Sequence, residues 1–481
     1  MKIRAGVHLE NSLDFIGEIC YTEKNQHKGQ VYMSRSMATN LTEGNVAGLL
    51  LRFAFPLFVS NALQAVYNIV DMIVVGQYIG GAGMSAVSIG GDILHLLTFA
   101  AMGFSSAGQV LIAQDVGGAR MEGVRQTIGT MFTVLLSASL LIAGICFFLR
   151  HPILVLLNTP AESYAYTLDY TVTCIAGLPF IYGYNAVSAI LRGMGDSKRP
   201  FVFIAIAAIL NMILDVLFVV GLGMEVFGAA LATAIGQGIS FLVSLAYLYQ
   251  RRESFGFDFK KESFVPQPAT LKRLLALGIP MAIQSAAVSF SKIVLMAWIN
   301  LYGVVFSALA GVYNKINTVV SVVSNSFTTA GSSMVGQNLG AEKYDRVPQV
   351  LRTVLLCGAV IAVFLSGVIL LFPDQVFLLF TKDSMVLATA SILIIPTVLN
   401  FFGSATRSWG FSLINGSGNT KLNLAVALID GMMSRMGIAA LLGYAMDLDC
   451  LGFWLGDSLA GFMPFLIGAC YFASGRWRAS H

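Results

Sequence analysis

Long apolar runs separated by short polar connections dominate the chain. Twelve runs are long enough to cross a bilayer, near residues 49–79, 85–114, 124–149, 164–191, 200–222, 227–249, 274–301, 305–336, 350–372, 387–414, 422–444 and 450–473. About 20 residues at ~1.5 Å each span the ~30 Å of hydrocarbon. Backbone polar groups in lipid must be satisfied within the segment, so each run is expected to be a helix. The period-2 alternation of a membrane barrel is absent. The expected fold is therefore an all-α integral membrane protein.

Polar residues inside such runs carry the chemistry. Asp71 interrupts the run Leu49 to Ile79, and Asp215 interrupts Pro200 to Leu222. A carboxylate at mid-membrane costs roughly 2.5–3.5 kcal/mol on insertion scales. Such acids either face a cavity or ion path, or are neutralised by protonation or buried pairing. Tyr67 and Asp71 are i and i+4 and share a helix face, with Asn68 close to that face. Asn211 and Asp215 repeat the i, i+4 spacing. Their oxygens can hold a hard cation, or the two carboxylates can exchange protons.

The pattern also repeats. Arg192-Gly193-Met194-Gly195-Asp196-Ser197-Lys198 follows run four, and Asn415-Gly416-Ser417-Gly418-Asn419-Thr420-Lys421 follows run ten, an offset of 415 − 192 = 223. At the same offset Ala107-Gly108 matches Ala330-Gly331, Gln114 matches Gln337, and Gly117 matches Gly340; Pro56 and Pro280 differ by 224. The expected fold is two six-helix lobes. Six runs return each half to the same side, so the lobes should be related by a pseudo-two-fold along the membrane normal. The expected units are a segment 1–46, an N-lobe 47–250, a charged, Pro-containing tether 251–270, a C-lobe 271–475 and a tail 476–481.

Composition agrees: 56% of residues are hydrophobic and only 11% charged, against about 25% charged in soluble domains. The net charge of +4 is distributed unevenly. One set of connections carries Arg120, Arg125, Arg192, Lys198, Arg199, Arg251, Arg252, Lys260, Lys261, Lys272, Arg273, Lys343, Arg346 and Lys421, with Arg476 and Arg478 in the tail. The other set carries Arg150 and Lys382. The positive-inside rule then places both termini in the cytoplasm, in a multi-pass inner-membrane protein. No basic patch interleaved with aromatics points to nucleic acid. Six scattered cysteines, without CxxC or His/Cys spacing, argue against structural metal and disulfide scaffolds. No catalytic cluster points to an enzyme, and the expected state is a monomer. Residues 1–36 are polar and mixed in charge, with no continuous apolar signal core. Either translation starts at Met37 and this stretch is an upstream over-extension, or it is a short cytoplasmic tail.

Pro56 with Tyr67-Asn68-Ile69-Val70-Asp71, the loop Arg192 to Pro200, and Asn211-Met212-Ile213-Leu214-Asp215 together resemble the signatures of the multidrug and toxic compound extrusion (MATE) family. The resemblance covers about residues 41–475. It implies two lobes forming a V around a central cavity, and export of lipophilic, often cationic, compounds driven by inward H+ or Na+. It adds Thr233 to Asp71, Asp215 and Asn211 as a cation-coupling or Na+ set, and links Pro56 to movement of the first helix. No cofactor besides the coupling ion is implied, and the partners are small-molecule substrates and the bilayer. At the repeat offsets Asp71 falls at Leu295, Asn211 at Ser434 and Asp215 at Ile438. Run seven carries Lys292, and run ten Arg407 without an acid between Ala388 and Ile414. That favours the branch using a first-lobe acidic site (DinF-like). Asp92, His95, Lys292, Asp430 and Asp457 are expected to line a cavity or pair across helices; Asp430 and Arg435 can neutralise each other or other neighbours. The alternative function is a flippase for a lipid-linked oligosaccharide of the same superfamily.

Overall fold

The computed structural model describes residues 39–479, so the reading of residues 1–36 lies outside the described residues. Every regular element among the described residues is helical. The twelve membrane helices are α1 (Val46–Tyr78), α2 (Gly81–Gly117), α3 (Met121–Leu156), α4 (Ala161–Gly193), α5 (Lys198–Gly221), α6 (Glu225–Gln250), α7 (Pro268–Asn300), α8 (Val304–Gly340), α9 (Val347–Leu371), α10 (Ser384–Gly416), α11 (Thr420–Ala445) and α12 (Asp449–Ala473). Eleven of them are long and apolar enough to cross a membrane on their own. The exception, α8, has 37 residues but is rich in Ser, Thr and Asn, including the buried Asn317, Ser326, Ser332, Ser333 and Asn338.

The repeated Gly-x-Gly-Asp/Asn sequence is a corner. Gly195 and Gly418 take φ of +84° and +68°, a region that Cβ-bearing residues avoid. The next residue then caps the following helix: Asp196 accepts from the amides of Lys198 at 3.1 Å and Arg199 at 3.2 Å, and Asn419 accepts from Leu422 at 3.0 Å. One motif thus turns the chain after the fourth helix of each lobe.

The lobes exchange the first halves of their first helices. Leu50, Phe53, Ala54 and Leu57 of α1 are buried in one apolar cluster with Met334 and Leu339 of α8, Val350 of α9 and Leu413 of α10. Beyond Pro56 the same helix returns to the N-lobe, where Val75 packs with Ala86, Tyr170 and Val219. The start of α7 lies on α2: a Cβ at Gly103 would sit 2.4 Å from the Ala282 backbone nitrogen, and one at Gly278 2.3 Å from the Phe104 ring. Past Pro280, Leu295 and Ile299 join the C-lobe core. Each proline removes a helix hydrogen bond near the point where its helix changes lobe.

The segment between the lobes is docked, not a free tether. Arg125 of α3 contacts Asp258 at 3.2 Å and Ser263 at 2.9 Å, and the Thr133 hydroxyl donates to the Phe264 carbonyl at 2.6 Å. The Ser263 hydroxyl also donates to Asp258, and this, with the amide of Lys260 and the nearby Arg125, holds the Asp258 carboxyl below its ordinary range.

Candidate functional site: an acidic N-lobe centre and a basic C-lobe centre

Three helices build the acidic centre. One face of α1 carries Tyr67 and Asp71, and one face of α5 carries Asn211 and Asp215, all four buried. Small residues bring α6 close: a Cβ at Gly236 would lie 3.1 Å from the Ala207 carbonyl oxygen of α5. The neighbours of Asn211 orient its amide, whose nitrogen donates to Asp71 Oδ1 at 3.0 Å while its oxygen lies 3.3 Å from the Thr233 hydroxyl. Asp215 faces Asp71. Asp215 is wholly buried, and neither of its oxygens has a hydrogen-bond donor. A π-helical turn, Val216–Gly221, follows it directly, as such turns often do at functional positions.

The structure therefore brings Asp71, Asp215, Asn211, Thr233 and Tyr67 together. It does not bring Asn68, which is exposed and forms no hydrogen bond to the set. Three residues is 300° of helix, which turns Asn68 off the buried face that Tyr67 keeps at four. Asp92 and His95 are also exposed, one turn apart on α2, with the His95 ring edge-on to Phe99 at 4.9 Å. Sequence reasoning missed Tyr170 of α4, which lies beside Asp71, Tyr67 and Asp215, and Gln64, Tyr184 and Gln237 around Tyr67. Nothing in their spacing marks them, because they reach the acids only through packing.

The oxygens gathered here are the two carboxylates, the Thr233 hydroxyl and the Asn211 amide oxygen, with the Tyr67 hydroxyl near Asp71. Such a set can hold a cation, or the two facing carboxylates can share a proton.

The C-lobe carries a different centre at the equivalent depth. Leu295 replaces Asp71 and is buried. Around it, Arg407 Nη2 lies 2.8 Å from Asp430 Oδ2, and Arg435 lies 3.6 Å from Asp430 Oδ1 and pairs directly with Asp457. The Tyr313 hydroxyl donates to Asp457 at 3.2 Å. Asp430 is wholly buried within the π-helical turn Ile429–Ser434, held by charge and not by aligned hydrogen bonds. The expected Asp430–Arg435 neutralisation is thus part of a chain of four residues that also takes in Arg407 and Asp457.

At the end carrying the basic connections, the repeat becomes a symmetric brace. Gln114 Nε2 donates to the Gly416 carbonyl at 3.0 Å, and Gln337 Nε2 to that of Gly193 at 3.1 Å, with 416 − 193 = 337 − 114 = 223. A Cβ at Gly117 would lie 2.0 Å from the Gln337 carbonyl oxygen, and one at Gly340 1.9 Å from that of Gln114. The segment before α1 threads across the same place. The Thr39 amide donates to the Met194 carbonyl at 2.9 Å, that of Leu41 to Gln337 Oε1 at 3.0 Å, and Lys343 Nζ to the Thr42 carbonyl at 3.2 Å. The position of Leu41 beside the lobe contact was not legible in sequence.

Two six-helix lobes with a buried polar centre in each define a polytopic membrane transporter. The MatE family model matches residues 56–217 and 280–441, two segments offset by 280 − 56 = 224. The chain therefore belongs to the MATE family of multidrug-extrusion transporters. It is 29% identical over 422 residues to the probable multidrug resistance protein YoeA of Bacillus subtilis, covering 86% of this chain and 91% of that one. It is 24% identical over 438 residues to a probable multidrug resistance protein NorM of Thermotoga maritima, covering 89% and 92%. A solved structure of the outward-facing conformation of a multidrug resistance MATE family transporter superposes with a TM-score of 0.85 at 21% identity, covering 93% of this chain and 99% of that one.

Proposed function

We propose that the protein exports lipophilic, often cationic, compounds across the cytoplasmic membrane in exchange for protons, which bind between Asp71 and Asp215. The observation that carries this is a pair of facing, buried carboxylates of which one, Asp215, has no donor to either oxygen. Two like charges in a dry lobe are tolerated when a cation sits between them. Two facing carboxylates can share a proton directly, which makes H+ the proposed cation. Coupling runs along α1, whose far half carries Asp71 and whose near half is packed in the C-lobe core, with Pro56 between. Loading the acids changes how the far half seats against α5, and the near half passes that change to the lobe interface. A driving ion works only by binding the two conformations unequally.

The hydrogen bonds between the lobes among the described residues run from the basic end to mid-helix, where Asn61 donates to Ser326, and this supports a state closed to the cytoplasm and open on the opposite side. The test is counter-flow in proteoliposomes, with proton and sodium gradients imposed separately. A proton gradient should drive efflux of a cationic dye, and Asp71→Asn or Asp215→Asn should abolish that efflux while leaving the protein in the membrane. Driving by sodium alone would reassign the ion, and normal efflux by both variants would remove the acids from coupling.

A further inference from the structure

We infer that the C-lobe centre is a subsite for an anionic group, a carboxylate or phosphate carried on an aromatic amphiphile. This rests on the transporter reading and adds a substrate class to it. The charges gathered there are Lys292, Arg407 and Arg435 against Asp430 and Asp457, a formal balance of 3 − 2 = +1. The two arginines occupy both carboxylates. Lys292, half-buried, makes no hydrogen bond or ion pair within 4 Å among the described residues and feels Asp457 and Asp430 only at longer range.

Lys292 lines a cleft of about 310 Å³, open mouth included, with Leu295, Tyr313, Asn314, Phe453, Trp454 and the arginine-paired Asp457 as walls. Trp454 is almost wholly buried, and its indole N–H has no acceptor. Lys ammonium and Trp indole are donors only. Lys292, the cleft's unpaired group that can only donate, calls for an acceptor. The excess positive charge makes that acceptor an anion, and aromatic walls suit an aromatic body beside it.

The repeat sharpens the contrast. Leu295 on the wall of this cleft stands where Asp71 stands in the N-lobe, and Lys292 stands where Asn68 does, since 295 − 71 = 292 − 68 = 224. At the N-lobe centre the residue without a hydrogen-bond partner is the acid Asp215; at the C-lobe cleft the unpaired charge is the base Lys292. Duplicated positions have thus acquired opposite polarity, one lobe for the driving cation and the other for an anionic part of the cargo. A molecule bearing both signs of charge would have a place for each.

The test is equilibrium binding, without any gradient, to the full chain in phosphatidylcholine nanodiscs. The probes are a matched pair, naphthylacetate and naphthylethylamine. Lys292→Met should weaken naphthylacetate by about tenfold or more, the loss of one charge-assisted contact, while leaving naphthylethylamine unchanged or tighter. Lys292→Arg should restore naphthylacetate, and Trp454→Phe should weaken it by a smaller factor with the fold intact. Unchanged naphthylacetate affinity in Lys292→Met, or no binding of it to the parent protein, would overturn the assignment. Replacing part of the lipid by phosphatidylglycerol separates the sources of the anion. Lys292-dependent competition identifies a lipid headgroup, and its absence a soluble amphiphile. Because no gradient is used, failure here leaves the proton-coupling reading standing, and failure of coupling leaves this binding result readable.

Discussion

Adding one methyl group at the lobe contact should open the basic end of the molecule. In Gly117→Ala the new Cβ would lie 2.0 Å from the Gln337 carbonyl oxygen, and in Gly340→Ala 1.9 Å from that of Gln114. A relaxed C···O contact is about 3.3 Å, so α2 and α8 must part by roughly 1 Å or more. The obstacle is backbone within a helix, which cannot swing aside as a side chain would. Parting stretches the Gln114–Gly416 and Gln337–Gly193 hydrogen bonds, now 3.0 and 3.1 Å, beyond useful reach. Two such bonds at ~1 kcal/mol each, with ~1–3 kcal/mol of overpacking, disfavour the closed arrangement by ~3–5 kcal/mol. That lowers the closed-to-open ratio by roughly a hundredfold or more. Spin labels at Glu122→Cys and Asp345→Cys, exposed in equivalent places on the two lobes, report the separation by double electron–electron resonance. The distribution should move to longer distances in either variant and further in the double variant. Gly144→Ala is the control, since a Cβ there meets nothing within 4 Å. It should leave the distribution alone. An unmoved distribution in both Gly117→Ala and Gly340→Ala would refute the brace as the closing contact.

Two further outcomes follow from buried and surface charge. Arg407→Met leaves the wholly buried Asp430 with only Arg435 at 3.6 Å and should cost about 3 kcal/mol, read as a lower Tm, whereas Arg407→Met with Asp430→Leu should recover most of it; equal losses in single and double variants would show the pair uncoupled. For the docked segment, the Asp258 carboxyl titrates lower in the folded protein than in the unfolded chain, so its contribution is fully present above about pH 4 and is lost as pH falls through the depressed folded value. The amide-exchange protection factors of residues 256–265, taken against the intrinsic exchange rate at each pH, should stay constant from neutral pH to about pH 4 and fall below it. In Asp258→Asn that pH-dependent fall should disappear.

What was legible in the sequence was whatever solvation physics enforces locally. Helices follow from apolar length, because lipid offers no partner to a backbone amide. The duplicated corner follows from the glycine at positive φ and the capping Asp196 or Asn419, both local requirements. Asp71 and Asp215 stood out because an acid in an apolar run is expensive anywhere, and their i and i+4 partners Tyr67 and Asn211 share one helix face. What the sequence left open were contacts set by how helices cross. Asn68 differs from Tyr67 by one residue of helical phase, and only the packing of α1 against α5 exposes it. Which base meets which acid among Lys292, Arg407, Asp430, Arg435 and Asp457 depends on four helices meeting at one depth. The exchange of the α1 and α7 halves, and the threading of residues 39–45 across the lobe contact, join groups about 150 to 300 residues apart. Local pattern is blind at that range, because what decides such contacts is the shape the other helices leave free.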